Sequence, residues 1–97
     1  MRSVELAIYA DALAGEATSL VARAERARSR LQQAVIERRA RAELSAATIE
    51  RLEGLGLLGS IDEHATRTEL RELEAALDAL EELQVWVETG LAEASAA

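Results

Sequence analysis

Three glycines near the middle of the chain have the spacing of a loop that binds dinucleotide phosphates. Gly54, Gly56 and Gly59 match the pattern Gly-x-Gly-x-x-Gly, and Asp78 follows at about the distance of a ribose-binding carboxylate. That chemistry requires a β-strand before the loop, because the strand and the next helix direct backbone N–H groups at the pyrophosphate. Here a long helical pattern precedes Gly54, and no segment has strand periodicity. We therefore interpret the three glycines as a turn that caps a helix.

The single histidine, His64, is a candidate for metal binding. Helical bundles that bind two metal ions use Glu-x-x-His, but Ile61 occupies the position three residues before His64. The chain also has no cysteine and no lysine, which excludes a thiolate zinc site and a phosphate-binding lysine. We expect His64 to face solvent in a first helical turn, with no metal site. A metal-binding oligomer that brings copies of His64 together is the alternative.

Four carboxylates, Glu74, Asp78, Glu81 and Glu82, form an acidic patch at helical spacing. Two of them could act as acid and base if a pocket separated their pKa values. The alanine-rich helices around them offer no such pocket, so we interpret the patch as a solvated helix face. We accordingly predict no catalytic residue and no cofactor, and a protein that is not an enzyme.

The hydrophobic pattern around these residues predicts an all-α fold. Alanine and leucine recur at helical spacing, and there is no proline. We predict one domain, a long two-helix antiparallel hairpin that is coiled-coil-like. Its parts are a helix over about 3–53, a glycine-rich turn over 54–60, a helix over about 61–90 and a frayed tail over 91–97.

Local signals determine these boundaries. Gly54 or Gly56 is expected to end the first helix in a left-handed cap, and Ser60 with Glu63 has the spacing of a capping box. Gly90 is expected to end the second helix. Inside the first helix, a break at Gly15 is the alternative to a continuous helix.

Each predicted helix carries an apolar seam at coiled-coil spacing. Arg38 falls within the first seam, and a chain reversal at Gly56 would place residues near 75 opposite it. Its candidate partners are Glu72, Glu74 and Asp78, and such a pair would fix the register of the two helices. The seams are Leu6, Ala10, Leu13, Ala17, Leu20, Ala24, Ala27 and Leu31 in the first helix, and Leu70, Leu73, Leu77, Leu80, Leu83, Val87 and Leu91 in the second.

The predicted helices differ in length, which has a consequence for self-association. A helix of about 50 residues is ~75 Å long and one of about 30 residues is ~45 Å long, so residues 1–21 would project beyond their partner. This N-terminal arm is apolar on more than one face, and a second copy of the chain would cover it. We predict a four-helix bundle or a larger helical oligomer. The predicted interface consists of Val4, Leu6, Ile8, Tyr9, Leu13 and Leu20.

The segment Ser45–Leu58 resembles the recognition helix and following turn of helix-turn-helix regulators. Eight arginines lie within or just upstream of it, at positions 23, 26, 28, 30, 38, 39, 41 and 51, where they could contact phosphates. The resemblance implies a first helix over residues 36–43 and a turn before Ser45, and the pattern shows no turn there. The net charge of −7 also disfavours nucleic acid as a partner.

The sequence thus predicts a non-enzymatic, self-associating helical interaction or scaffold module that acts by helix–helix pairing, with itself or with a partner helix. The alternatives are a small DNA-binding regulator that uses the arginine-rich residues 23–51, and a small metal-binding helical oligomer. No segment approaches the ~20 apolar residues of a membrane span. Glu5 and Asp11 interrupt the first apolar residues too early for a signal peptide. We expect a cytoplasmic protein with no membrane partner.

Overall fold

The computed structural model of the chain describes residues 3–59 and 61–96. These residues are 90% helical and include no β-strand, which confirms the all-α prediction. They form three helices: α1 (Ser3–Glu43), α2 (Ala46–Gly54) and α3 (Glu63–Ala96). α1 contacts α3, consistent with the predicted helical hairpin. None of the three helices is long and apolar enough to cross a membrane.

The first predicted helix is interrupted at Leu44 and Ser45, so it ends ten residues earlier than the predicted boundary. Ser45 has an extended backbone with φ −68° and ψ 154°, and its Oγ accepts a hydrogen bond from the N–H of Thr48 at 3.2 Å. This bond satisfies one of the free N–H groups at the start of α2. The apolar pattern continues through the interruption, which is why periodicity alone predicted one helix. At Gly15, in contrast, α1 is continuous.

α2 ends in the left-handed glycine cap that the sequence predicted. Gly56 has φ +73°, and its N–H donates to the carbonyl of Glu53 at 3.0 Å. The N–H of Leu57 donates to the carbonyl of Leu52 at 2.9 Å. These two bonds form a Schellman motif with Gly56 in the position that favours glycine. Gly54 is the last residue of the helix.

α3 begins at Glu63, after a cap formed by Asp62. The Asp62 carboxylate accepts a hydrogen bond from the N–H of Ala65 at 3.0 Å, and its carbonyl accepts one from the N–H of Thr66. The predicted capping box used Ser60, which lies outside the described residues.

Residues 1–24 and 71–97 form one compact unit, here called the terminal unit. Its core contains Leu6, Leu13 and Val87, with Ala10, Leu80, Leu83 and Leu91 packed around them. α3 continues to Ala96 instead of fraying at residue 91. Gly90 does not end the helix, and it lies close to Leu6: a Cβ at position 90 would lie 3.3 Å from Leu6 Cδ1.

Residues 25–70 form the second unit, here called the loop unit. Within it, Arg30 pairs with Glu69 at 2.6 Å and Arg38 pairs with Glu63 at 3.1 Å, so α1 and α3 run antiparallel. Two of the side chains buried in this unit belong to alanines, which allow the backbones to approach closely. The buried residues of this unit are Ala27, Ala34, Glu37, Thr66 and Leu70.

Replacing Gly56 by alanine should lower the free energy of unfolding by about 1–2 kcal/mol, because a Cβ is strained in the left-handed region. Gly54→Ala is the matched control. An added Cβ at Gly54 meets no atom within 4 Å, and alanine is the better helix former. Chemical denaturation followed by circular dichroism measures both variants. Equal effects at the two positions would contradict the left-handed cap.

Candidate interaction surface

The glycine-rich loop is not built to hold a phosphate. No strand precedes it within the described residues, and α2 takes the place that the dinucleotide-binding pattern gives to a strand. The N–H of Gly59 donates to Glu37 Oε1 at 3.2 Å, so this amide already has an anionic partner from α1. The three glycines serve the turn between α2 and α3.

Glu37 is a buried carboxylate that connects α1 to this loop. Besides the Gly59 N–H, its Oε1 accepts a hydrogen bond from Gln33 Nε2 at 3.2 Å. The residue predicted to fix the register was its neighbour Arg38. The predicted seam ran through Arg38 and gave no signal for Glu37, whose burial follows from its position three residues after the buried Ala34. A carboxylate at such a position requires a hydrogen-bond donor, and the loop supplies it.

Arg38 lies at the surface and does not pair with its predicted partners. Its Nε donates to Glu63 Oε2, and Glu63 also accepts a bond from Arg67 at 3.3 Å. The three predicted partners, Glu72, Glu74 and Asp78, are exposed residues of the terminal unit. The difference arises because α1 ends at Glu43, which changes the residues of α3 that lie opposite it.

Glu37→Ala should lower the free energy of unfolding by about 1–3 kcal/mol, because the partly buried Gly59 N–H loses its acceptor. Arg38→Ala removes an exposed ion pair and should cost less than about 1 kcal/mol. Urea denaturation of the two variants measures this difference. A larger loss for Arg38→Ala would show that the surface pair, and not Glu37, secures the loop.

The other polar candidates do not converge on a site. His64 is exposed, as are Glu74, Asp78, Glu81 and Glu82. Among residues 3–59 and 61–96, no group of three histidine or carboxylate side chains is placed to hold a metal ion. These residues therefore form a solvated surface within one chain.

The six predicted interface residues separate into two sets. Leu6 and Leu13 are buried in the core of the terminal unit, and Leu20 is partly buried. The arm that was expected to project is therefore covered by α3 of the same chain. Val4 and Ile8 in contrast are 68% and 66% exposed, and Tyr9 is 43% exposed.

Val4 and Ile8 lie on the face of α1 that points away from α3. Each is two residues from the buried Leu6, and two residues correspond to about 200° around a helix. The same face continues through Gly15 and Ala22 at steps of seven residues. We call this surface, formed by Val4, Ile8, Ala12, Gly15, Ser19 and Ala22, the outer face of α1.

The outer face combines two large exposed apolar side chains with a run of small residues. Asp11 lies at its edge, and none of the six residues that define the face is charged. A Cβ added at Gly15 would meet no atom of the chain within 4 Å. Packing within the chain thus does not require glycine at this position, although glycine costs about 1 kcal/mol relative to alanine inside a helix. Comparisons with models of protein families, with curated proteins and with solved structures found no match to this chain.

Proposed function

We propose that this chain is a non-enzymatic helical interaction module that associates with a second copy of itself through the outer face of α1. The observation that carries the proposal is the exposure of Val4 and Ile8 beside a core that is already complete. Leu6 and Leu13 are buried against α3, so the large apolar residues left on α1 in this unit point elsewhere.

The energy of such an association comes from apolar burial. Each valine or isoleucine that becomes fully buried contributes about 1.5–3 kcal/mol, and a pair of copies would bury two of each. Part of this favourable free energy offsets the translational and rotational entropy that two chains lose when they form one complex. The small residues that follow along the face allow a partner helix to approach closely. Two copies would then assemble four long helices side by side, with the two α1 helices between the two α3 helices.

A cytoplasmic location belongs to the same proposal. It is supported by the absence of cysteine from the sequence, which fits a reducing compartment. In that setting the module would act as a scaffold by bringing two copies of the chain together.

Ile8→Asp should abolish the association and leave the helices intact, because Ile8 is on the outer face and its side chain is not part of the core. Ile36→Asp is the matched control, since Ile36 is also 66% exposed but belongs to the loop unit. Sedimentation velocity gives the mass of each variant, and circular dichroism gives its helix content.

Leu13→Asp is a comparison variant that is expected to disrupt the fold itself. This substitution places a charge in the core of the terminal unit and should lower both helix content and mass. An Ile8→Asp variant that retains the mass of the unmodified chain would contradict the proposed surface. A loss of association only in Ile36→Asp would show that the association surface lies in the loop unit.

A DNA-binding regulator is the second candidate, and one observation favours it. The resemblance to helix-turn-helix proteins implies a turn before Ser45, and α1 does end at Glu43. α2 then follows with no buried residue, so its surface is accessible. Against this, Arg38 pairs with Glu63 and Arg41 pairs with Glu53. Arg30 pairs with Glu69 as well, so three of the eight arginines available for phosphates are already neutralised.

Retention on heparin tests this second candidate. A DNA-binding chain would elute at a salt concentration that falls when Arg38, Arg39 and Arg41 are replaced by alanine. The proposed interaction module predicts no retention at about 0.15 M salt, because the whole chain is acidic. Salt-sensitive binding of duplex DNA that depends on these arginines would favour the regulator.

A further inference from the structure

We infer that the two copies pair with their α1 helices antiparallel, about a two-fold axis that passes beside Gly15. This inference rests on the proposed function, because it specifies the geometry of the same association. It commits to a second copy of this chain as the occupant of the outer face. Charge along the edge of that face is the observation that selects the copy and its direction.

Glu5 and Arg23 are exposed and lie on the same edge of the outer face. They are separated by about five full turns of α1, so their side chains leave the helix in nearly the same direction. They also lie on opposite sides of Gly15, at similar distances from it along the helix. This edge therefore has a negative charge at one end and a positive charge at the other. The same edge of an antiparallel copy presents the opposite order of charges, so the two edges are complementary.

Antiparallel pairing therefore places Glu5 of each copy beside Arg23 of the other, and it forms two such pairs. Parallel pairing would place this edge of the two copies on opposite sides of the interface, so neither Glu5–Arg23 pair would form. Glu16 lies on the same edge close to the axis and would meet its own copy in the antiparallel arrangement, one unfavourable contact against two favourable pairs. The two opposite-charge pairs thus decide in favour of the antiparallel arrangement.

Gly15 explains the position of the axis. Two helices approach most closely where they cross, and a glycine there removes the side chains that would separate their backbones. The open space around Gly15 within one chain is then the space that the second α1 occupies. On both sides of this point, Ile8 of one copy packs against the small side chain of Ala22 of the other.

Disulfide cross-linking tests the direction of the pairing, because the unmodified chain has no cysteine. In the antiparallel arrangement, residue 8 of one copy is adjacent to residue 22 of the other, whereas the two copies of residue 8 are about 21 Å apart. Mild oxidation of an equimolar mixture of Ile8→Cys and Ala22→Cys should therefore give a covalent dimer that contains one of each. Each variant alone should remain uncross-linked, because a disulfide requires Cα atoms within about 7 Å.

The outcomes separate the geometry from the proposed function. Cross-linking of Ile8→Cys with itself would show parallel pairing and overturn the inference. Cross-linking in neither experiment, with a dimeric mass retained by the unmodified chain, would overturn the geometry and leave self-association standing. A monomeric mass for the unmodified chain would overturn both.

Charge reversal provides an independent readout that does not depend on cysteine chemistry. Glu5→Arg and Arg23→Glu should each raise the dimer dissociation constant about three- to tenfold, because like charges then meet twice in each dimer. The double variant should return to within about twofold of the unmodified chain, since it restores both pairs with the charges exchanged. A double variant that is weaker than either single variant would overturn the Glu5–Arg23 pairing.

Discussion

The extended backbone of Ser45 determines which residues lie opposite each other in the two long helices. It ends α1 at Glu43, and α3 then begins at Glu63 after the Asp62 cap. As a result, Arg38 meets Glu63 in the loop unit, and Leu6 meets Gly90 in the terminal unit. The part of α1 in the terminal unit thereby packs against a partner within the same chain, and Leu6 and Leu13 become core residues.

The sequence was sufficient for the helical content and for the buried face of the terminal unit, but it specified neither the interruption at Ser45 nor the register. Leu6, Leu13, Leu73 and Val87 were seam positions by spacing, and all are buried. A seam repeats every three or four residues, so it packs equally well after the partner helix slides by one repeat. The sliding distance depends on where α1 ends. α1 ends beside Ser45, whose Oγ accepts a hydrogen bond from the N–H of Thr48, in a segment where alanines on both sides favour helix.

The burial of polar residues was harder to predict, because a charged residue in a helical pattern can be either exposed or buried beside a hydrogen-bond partner. Glu37 and Arg38 are neighbours in the sequence, yet Glu37 is buried beneath the loop and Arg38 is exposed. The register decides this as well, since it brings Gly59 to the Glu37 carboxylate. Exposure of Val4 and Ile8 was easier to infer, because both lie off the seam whatever the partner. Of the six residues of the predicted interface, Val4, Ile8 and Tyr9 are the exposed ones.

The outer face is a part of the terminal unit where sequence and packing disagree. The sequence places apolar and small residues there, and the fold leaves Val4, Ile8, Ala12, Gly15 and Ser19 exposed. Light scattering of the unmodified chain over a range of concentrations tests most directly whether a second copy covers this face. The account predicts a mass of twice the 10.5 kDa of one chain. A mass of one chain at every concentration would contradict it.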